Sequence, residues 1–204
     1  SLFAGCQIKA ESKLGEGSSF VYSTIPLGIL FNDEAIVTVS LNESPIINDF
    51  IKGRVKSFYT FKKTRFILQL LYKNATRFLM YLKQIDKASS AVQNELHKSM
   101  KNKELIQLLA LEKSLVYFST SLTSNEMVLD KMMKLGYIKK YQDDVELLED
   151  VIVENKQAIE MCNIYRDILS GTMDAFASVI SNNLNIVMKL MTSITIIISI
   201  PTLI

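Results

Sequence analysis

One histidine, two cysteines and three prolines are all that 204 residues contain of those types, and each scarcity removes a class of chemistry. The lone His97 has no second histidine with which to build a metal centre. It sits beside Lys98 in a polar stretch, and a solvated surface role is expected for it. Cys6 and Cys162 follow no metal-ligand spacing. Two separate thiols fit a reducing compartment, with Cys162 filling a small apolar slot in a helical repeat. Glycine is sparse as well, and Gly15-Glu16-Gly17 lacks the remainder of any phosphate-binding loop, so it reads as a turn. No nucleophile–base arrangement can be assembled, and the expectation is that the chain is not an enzyme. Residues 1–20 lack the basic start and apolar run of a signal peptide.

The formal charge of +2 hides an uneven distribution. Residues 142–204 hold nine carboxylates against Lys156, Arg166 and Lys189, a balance of −6, so the rest of the chain carries +8. An acidic rod of this kind repels nucleic acid and collects cations. All nine carboxylates precede an uncharged segment, 190–204, rich in Ile and Thr. That segment falls short of the roughly 20 residues needed to cross a bilayer. The expectation is a span cut short, in a chain that is a fragment at both ends.

Residues 142–204 read as one long helix of roughly 90 Å, too long for an ordinary globular core. Alternating steps of four and three trace one side of it: Asp167, Gly171, Asp174, Ser178, Ser181, Asn185, Met188, Thr192, Thr195, Ser199, Thr202. All but Met188 are small or polar, although their surroundings turn apolar after Lys189. Such spacing puts residues on one helix face, and a polar stripe in apolar surroundings must face water, ions or a partner helix rather than lipid. The opposite side repeats apolar residues from Val145 through Leu148, Ile159, Leu169 and Phe176 to Ile194. A repeat of seven held this long argues for helices packed side by side in a supercoil.

Earlier in the chain, residues 1–41 have strand character, with three or four strands punctuated by turns at Gly15, Gly17, Gly28 and Asn32-Asp33. Ser44-Pro45 opens a helix that should run to about Phe58. Two amphipathic helices over 63–98 and 102–135 follow. Phe66, Leu70, Phe78, Leu82 and Ile85 form one apolar face, and Leu105, Leu108, Leu109, Leu115 and Phe118 the other. Their short connection implies an antiparallel hairpin, with Gly136 ending the second helix. The expected class is therefore α+β: a partial N-terminal α/β domain (1–62), a helical hairpin (63–141), a stalk (142–189) and the start of a membrane helix (190–204).

At residues 166–174 (Arg-Asp-Ile-Leu-Ser-Gly-Thr-Met-Asp) and 181–189 (Ser-Asn-Asn-Leu-Asn-Ile-Val-Met-Lys) the chain resembles the CorA family of magnesium transporters. The resemblance implies a homopentamer in the cytoplasmic membrane, residues 1–189 on the cytoplasmic side, with the stalk helices surrounding a pore through the lipid bilayer. It assigns the polar stripe to the lumen. Asn185 and Met188 match pore-lining positions, Met191 adjoins a hydrophobic constriction, Thr195 shares the stripe, and Ser199 and Thr202 match deeper positions. Ser199 replaces a bulkier apolar residue, so any gate at that depth is expected to be looser. Asp167 and Asp174 match lumen-facing stalk positions. Asp150 resembles a stalk aspartate that binds regulatory Mg2+ between subunits, its partner carboxylate lying upstream of Ser1. The family's Gly-Met-Asn signature and second span would lie beyond Ile204, and the hairpin tip, often acidic in the family, is rich in lysine here. Mg2+, Co2+, Ni2+ and Zn2+ all suit such a stripe. Two other readings stand beside this one: the stripe as a packing seam of small residues, and the chain as a tail-anchored coiled-coil protein holding a partner at a membrane.

Overall fold

Asn32 turns the chain between the strands that end at Phe31 and start at Ile36: its side-chain oxygen accepts from the backbone N–H of Glu34 at 2.9 Å and of Ala35 at 2.6 Å. Such an Asx turn offers the chain a local hydrogen-bond partner where it must reverse. The computed structural model describes residues 2–11, 21–32, 34–99, 102–134 and 141–202, with side chains from residue 21 onward except those of 99 and 200–202. Three strands, β1 (Leu2–Glu11), β2 (Val21–Phe31) and β3 (Ile36–Ser40), precede four helices, α1 (Pro45–Ile51), α2 (Lys63–Ser99), α3 (Asn102–Lys134) and α4 (Gln142–Thr202).

The sheet is antiparallel in the order β1-β2-β3. Gly28, expected at a turn, instead lies within β2, opposite Ala4 on one side and Val39 on the other. The apolar residues around it make a strand that glycine alone does not interrupt. Pro26 also sits in this central strand, but β3 pairs only with Leu27–Phe31, so at Pro26 a single neighbouring strand remains. The missing N–H is tolerated there. Gly15, Gly17, Asp33 and Gly136 lie outside the described residues.

Ser44 caps α1 as expected, its hydroxyl accepting from Ile47 N at 3.3 Å. The helix then ends at Ile51, well before Phe58. Gly53 adopts φ +64°, and two bonds close the end: Gly53 N to Phe50 O at 3.1 Å and Arg54 N to Asp49 O at 2.9 Å. This is the Schellman arrangement, in which glycine takes the left-handed position. Gly53 was the signal that the longer helix overlooks.

Asp49 holds α1 to α2. Its carboxylate meets Arg77 at 2.7 Å and Arg54 at 3.5 Å. The hydrogen bond and charge of Arg77 hold the Asp49 carboxyl below the usual carboxylate range. The unfolded chain therefore binds the proton more readily, at an ordinary value of about 3.9, and this contribution to stability is complete above that value. It is lost as pH falls through the lower folded value. Asp49→Asn should thus flatten the acid limb of a stability-versus-pH curve, measured by urea unfolding from neutral pH downward. An unchanged limb would assign the acid sensitivity elsewhere.

α2 and α3 form the expected antiparallel hairpin, seen in the Phe78 and Phe118 rings meeting edge to face at 5.2 Å. Leu109, expected to be buried in it, is 52% exposed, because helical phase gives Leu108, Leu111 and Leu115 the core positions. α4 packs against both helices. The upper core gathers Phe78, Leu82, Leu115, Phe118, Cys162 and Phe176; the lower one gathers Ile29, Ile46, Leu68, Leu70, Leu148 and Val151. The apolar repeat of α4 therefore finds its partner in the hairpin of its own chain as far as Phe176, rather than in a supercoil of separate rods.

The sheet lies on α3 through small polar residues. Ser114 and Ser121 are buried one heptad apart; Ser114 Oγ accepts from Tyr22 N at 3.0 Å, and Ser121 Oγ donates to Thr24 Oγ1 at 2.7 Å. Two short side chains let helix and strand approach closely.

Candidate functional site

α4 divides into three sides. Asp144, Leu148, Val151, Asn155, Cys162 and Phe176 are buried against the hairpin. Asn155 Nδ2 donates to Leu122 O at 3.1 Å, and Cys162 donates its S–H to Leu115 O at 3.1 Å. Burial pushes the Cys162 thiol up to about 11, which makes it a packing residue rather than a nucleophile. At the base, Arg65 ties α2 to α4 through Asp144 at 3.5 Å. Burial raises the Asp144 carboxyl above its ordinary value, with Arg65 opposing. Its folded form therefore holds the proton more readily, and stability from this group falls as pH rises, opposite in sense to Asp49. Nothing in the local pattern around Asp144 marks it as buried; only the tertiary packing does.

Among the described side chains, Phe176 is the last buried residue of α4. The His97 ring rests on it, with centroids 4.8 Å apart, so the sole histidine is exposed yet in contact rather than freely solvated. From there residues 177–199 are exposed on every side, a free rod of roughly 40 Å as far as Thr202.

The polar stripe runs along the side of α4 turned away from the hairpin. At about 100° per residue, Asp167, Gly171 and Asp174 lie opposite Leu169 and Phe176. Asp150, Asp167, Asp174, Asn185, Met188, Met191, Thr195 and Ser199 are all exposed. Thr202 belongs to α4, but its side chain lies outside the described residues. Asp167 carries an ion pair with Arg166 at 3.6 Å. One helix thus brings these residues to one side at successive heights, and Asp150 stands apart, near the base. Among the described residues no group of three or more His, Cys, Asp or Glu is gathered to hold a metal ion. Mg2+ favours six oxygen ligands, several of them water, and Asp150 alone supplies at most one carboxylate to such a shell.

The hydroxyls of the stripe share a detail the sequence does not state. Ser178 donates to Asp174 O at 3.0 Å, Thr192 to Met188 O at 2.8 Å and Thr195 to Met191 O at 2.8 Å. Each donor is spent on the helix's own carbonyl one turn back. What each hydroxyl presents outward is oxygen lone pairs, a surface suited to a cation or to the hydrogens of its hydration water.

Among the described residues no helix is long and apolar enough to cross a membrane.

A family model described as CorA-like Mg2+ transporter protein matches residues 15–204. The cobalt/magnesium transport protein CorA of Methanocaldococcus jannaschii is 28% identical over 193 residues, covering 88% of this chain and 58% of its own length. The complete structure of the CorA magnesium transporter from that organism superposes with a TM-score of 0.77 at 22% identity, over 95% of this chain and 61% of that one. The cytoplasmic domain of ZntB from Vibrio parahaemolyticus superposes with a TM-score of 0.62 at 12% identity, over 90% of this chain and 70% of that one. These superpositions show a shared fold, mostly helical with a small antiparallel sheet, and the chain spans less than two thirds of the length of its curated relative. By the match along nearly its whole length, the chain belongs to the CorA-like Mg2+ transporter family.

Proposed function

We propose that the chain is the stalk-bearing part of a pentameric divalent-cation channel in the cytoplasmic membrane, transporting Mg2+ and gated by Mg2+ inside the cell. One observation carries this reading: α4 buries one side in its own hairpin and keeps an oxygen-rich stripe on the other, which continues into uncharged apolar sequence. The name of the M. jannaschii relative, a cobalt/magnesium transport protein, supports a divalent cation as cargo. In the pentamer the stripes face a shared lumen, with Asp167, Asp174, Asn185, Met188, Thr195, Ser199 and Thr202 at successive depths and Met191 beside a constriction. Rings of carboxylate, amide and hydroxyl oxygen select cations and accommodate an ion that keeps part of its water. Residues 1–189 stay on the cytoplasmic side. The division into a partial α/β domain, hairpin, stalk and membrane helix follows from the same reading.

Asp150 is the regulatory half-site, completed by an oxygen ligand from a neighbouring subunit. Bound Mg2+ bridges the subunits; when it leaves, the carboxylates repel and the cytoplasmic assembly loosens. Asp150→Asn in the intact protein should therefore weaken inhibition of uptake by internal Mg2+, with the half-inhibitory concentration displaced several-fold. It is measured as Mg2+ entry into vesicles preloaded with graded Mg2+. Inhibition identical to that of the parent would remove Asp150 from the sensing role.

A further inference from the structure

Between Asp49 and Asp86 the chain carries nine lysines and arginines and no carboxylate. Lys52, Arg54, Lys56, Lys62 and Lys63 crowd the connection from α1 into α2, together with exposed apolar side chains. Ile51, Tyr59 and Phe61 are 75%, 52% and 72% exposed. Large exposed rings set among cations mark a surface that binds something.

The connection is held in shape. Phe58 turns inward onto Phe50 and Phe66, at 5.1 and 5.2 Å between ring centres. Gln69 Nε2 donates to Lys56 O and Ser57 O, both at 3.4 Å, and Ser57 takes a left-handed φ of +55°. Lys62 N closes a turn onto Tyr59 O at 3.1 Å. Tyr59 and Phe61 are thereby left side by side, 5.4 Å apart, with the Lys62 ammonium over Tyr59 at 5.7 Å. That is cation–π range.

The carboxylates at this end of the molecule are committed elsewhere. Asp49 is held by Arg54 and Arg77, and Asp143 and Asp144 face Arg65. Glu43 accepts from Asn48 Nδ2 at 2.8 Å. Glu34 stands on the turn whose Asn32 O receives Lys63 Nζ at 3.3 Å, and Asp130 on α3 has Lys131 and Lys134 within four residues. Lys52, Lys56 and Lys62 are exposed and enter no ion pair among the described residues. Their fitting ligand is therefore an anion, and the neighbouring rings ask for one with a flat apolar part. A lipid surface is out of reach, because the Arg65 contacts put this loop at the start of α4, roughly 70 Å along the helix from the uncharged segment. Two rings on one short loop offer a platform for a single base rather than a groove that tracks a strand.

We propose that the loop over residues 51–63 binds a nucleoside triphosphate, its base laid on Phe61 and Tyr59 and its phosphates among Lys52, Lys56 and Lys62. With no carboxylate in the loop to share a metal ion, the site prefers the metal-free triphosphate, whose charge a bound Mg2+ would partly cancel. The inference stands apart from the channel reading, since it concerns the opposite end of α4.

The test is equilibrium dialysis of this chain, in mild detergent, against ATP with EDTA. Saturable binding of one ATP per chain is expected, weakened several-fold by excess Mg2+. Phe61→Ala should weaken ATP at least about fivefold and leave inorganic triphosphate unchanged, and Phe61→Trp should retain ATP. Lys56→Gln with Lys62→Gln should weaken both probes alike. All these side chains are exposed, and helical circular dichroism confirms that each variant folds. Absence of saturable ATP binding overturns the proposal. Equal affinity for ATP and inorganic triphosphate overturns the base platform, and binding unchanged by Mg2+ overturns the metal-free preference. Displacement of ATP by a glutamate-rich peptide at equal concentration gives the surface to an acidic protein segment instead.

Discussion

Phe118→Ala should lower the melting temperature of this chain, in mild detergent, by roughly 6–20 °C. The side chain is fully buried where the sheet, the hairpin and α4 meet in the upper core. Its ring lies 5.2 Å from that of Phe78 on α2 and 6.2 Å from that of Tyr22 on β2, and it shares the upper core with Cys162 and Leu169 of α4. Removing it leaves a cavity bounded by elements that other contacts hold in place, so collapse is limited. Losses of about 3–5 kcal/mol are usual for such a change, against a typical total of about 5–15. Leu109→Ala, on the same helix but exposed, should stay within about 0.5 kcal/mol. The loss of helical circular dichroism on heating reads both. Equal effects of the two substitutions would mean that the hairpin, sheet and α4 do not share the core described above.

The contrast between Phe118 and Leu109 also shows where sequence reading succeeds and where it stops. The period of α2, α3 and α4 is strong enough to place all three helices within a residue or two, because long amphipathic repeats leave little choice of phase. Leu109 was misplaced because a leucine on the flank of a stripe looks the same as one at its centre until the neighbouring layers are known. Gly28 and α1 failed for the converse reason. There a single glycine decides: Gly53 stops a helix by taking a positive φ, whereas Gly28 merely extends a strand. The apolar repeat of α4 was legible, but its partner was not. A repeat of seven says that something packs against the helix, not whether that partner is another chain or a hairpin of the same one. Ser114 and Ser121 were passed over because serine inside an apolar helix carries no hydrophobic signal. Their heptad spacing between Leu115, Phe118 and Leu122 was the available clue to a close-packed sheet.

For the candidate site, the order of residues along the stripe was readable from spacing alone, while its isolation from the hairpin needed the packed side to be known. That isolation gives the second large expectation. In the intact protein, Thr195→Leu should reduce Mg2+ flux into proteoliposomes at least about tenfold, equivalent to about 1.4 kcal/mol on the barrier. Thr195 spends its donor on Met191 O at 2.8 Å and presents an oxygen outward. In the proposed pore, leucine would replace that oxygen with a branched apolar group in every subunit at once, and a ring of such groups closes a narrow passage by expelling water from it. Ile194→Leu, one residue away and about 100° round the helix, off the polar stripe, conserves volume and polarity and should leave flux within a factor of two or so of the parent, in line with the small cost of such swaps. Thr195→Ser keeps the oxygen and should conduct. If Thr195→Leu carries Mg2+ as the parent does while the protein remains assembled, the stripe faces a neighbouring helix or lipid, and the packing-seam reading takes its place.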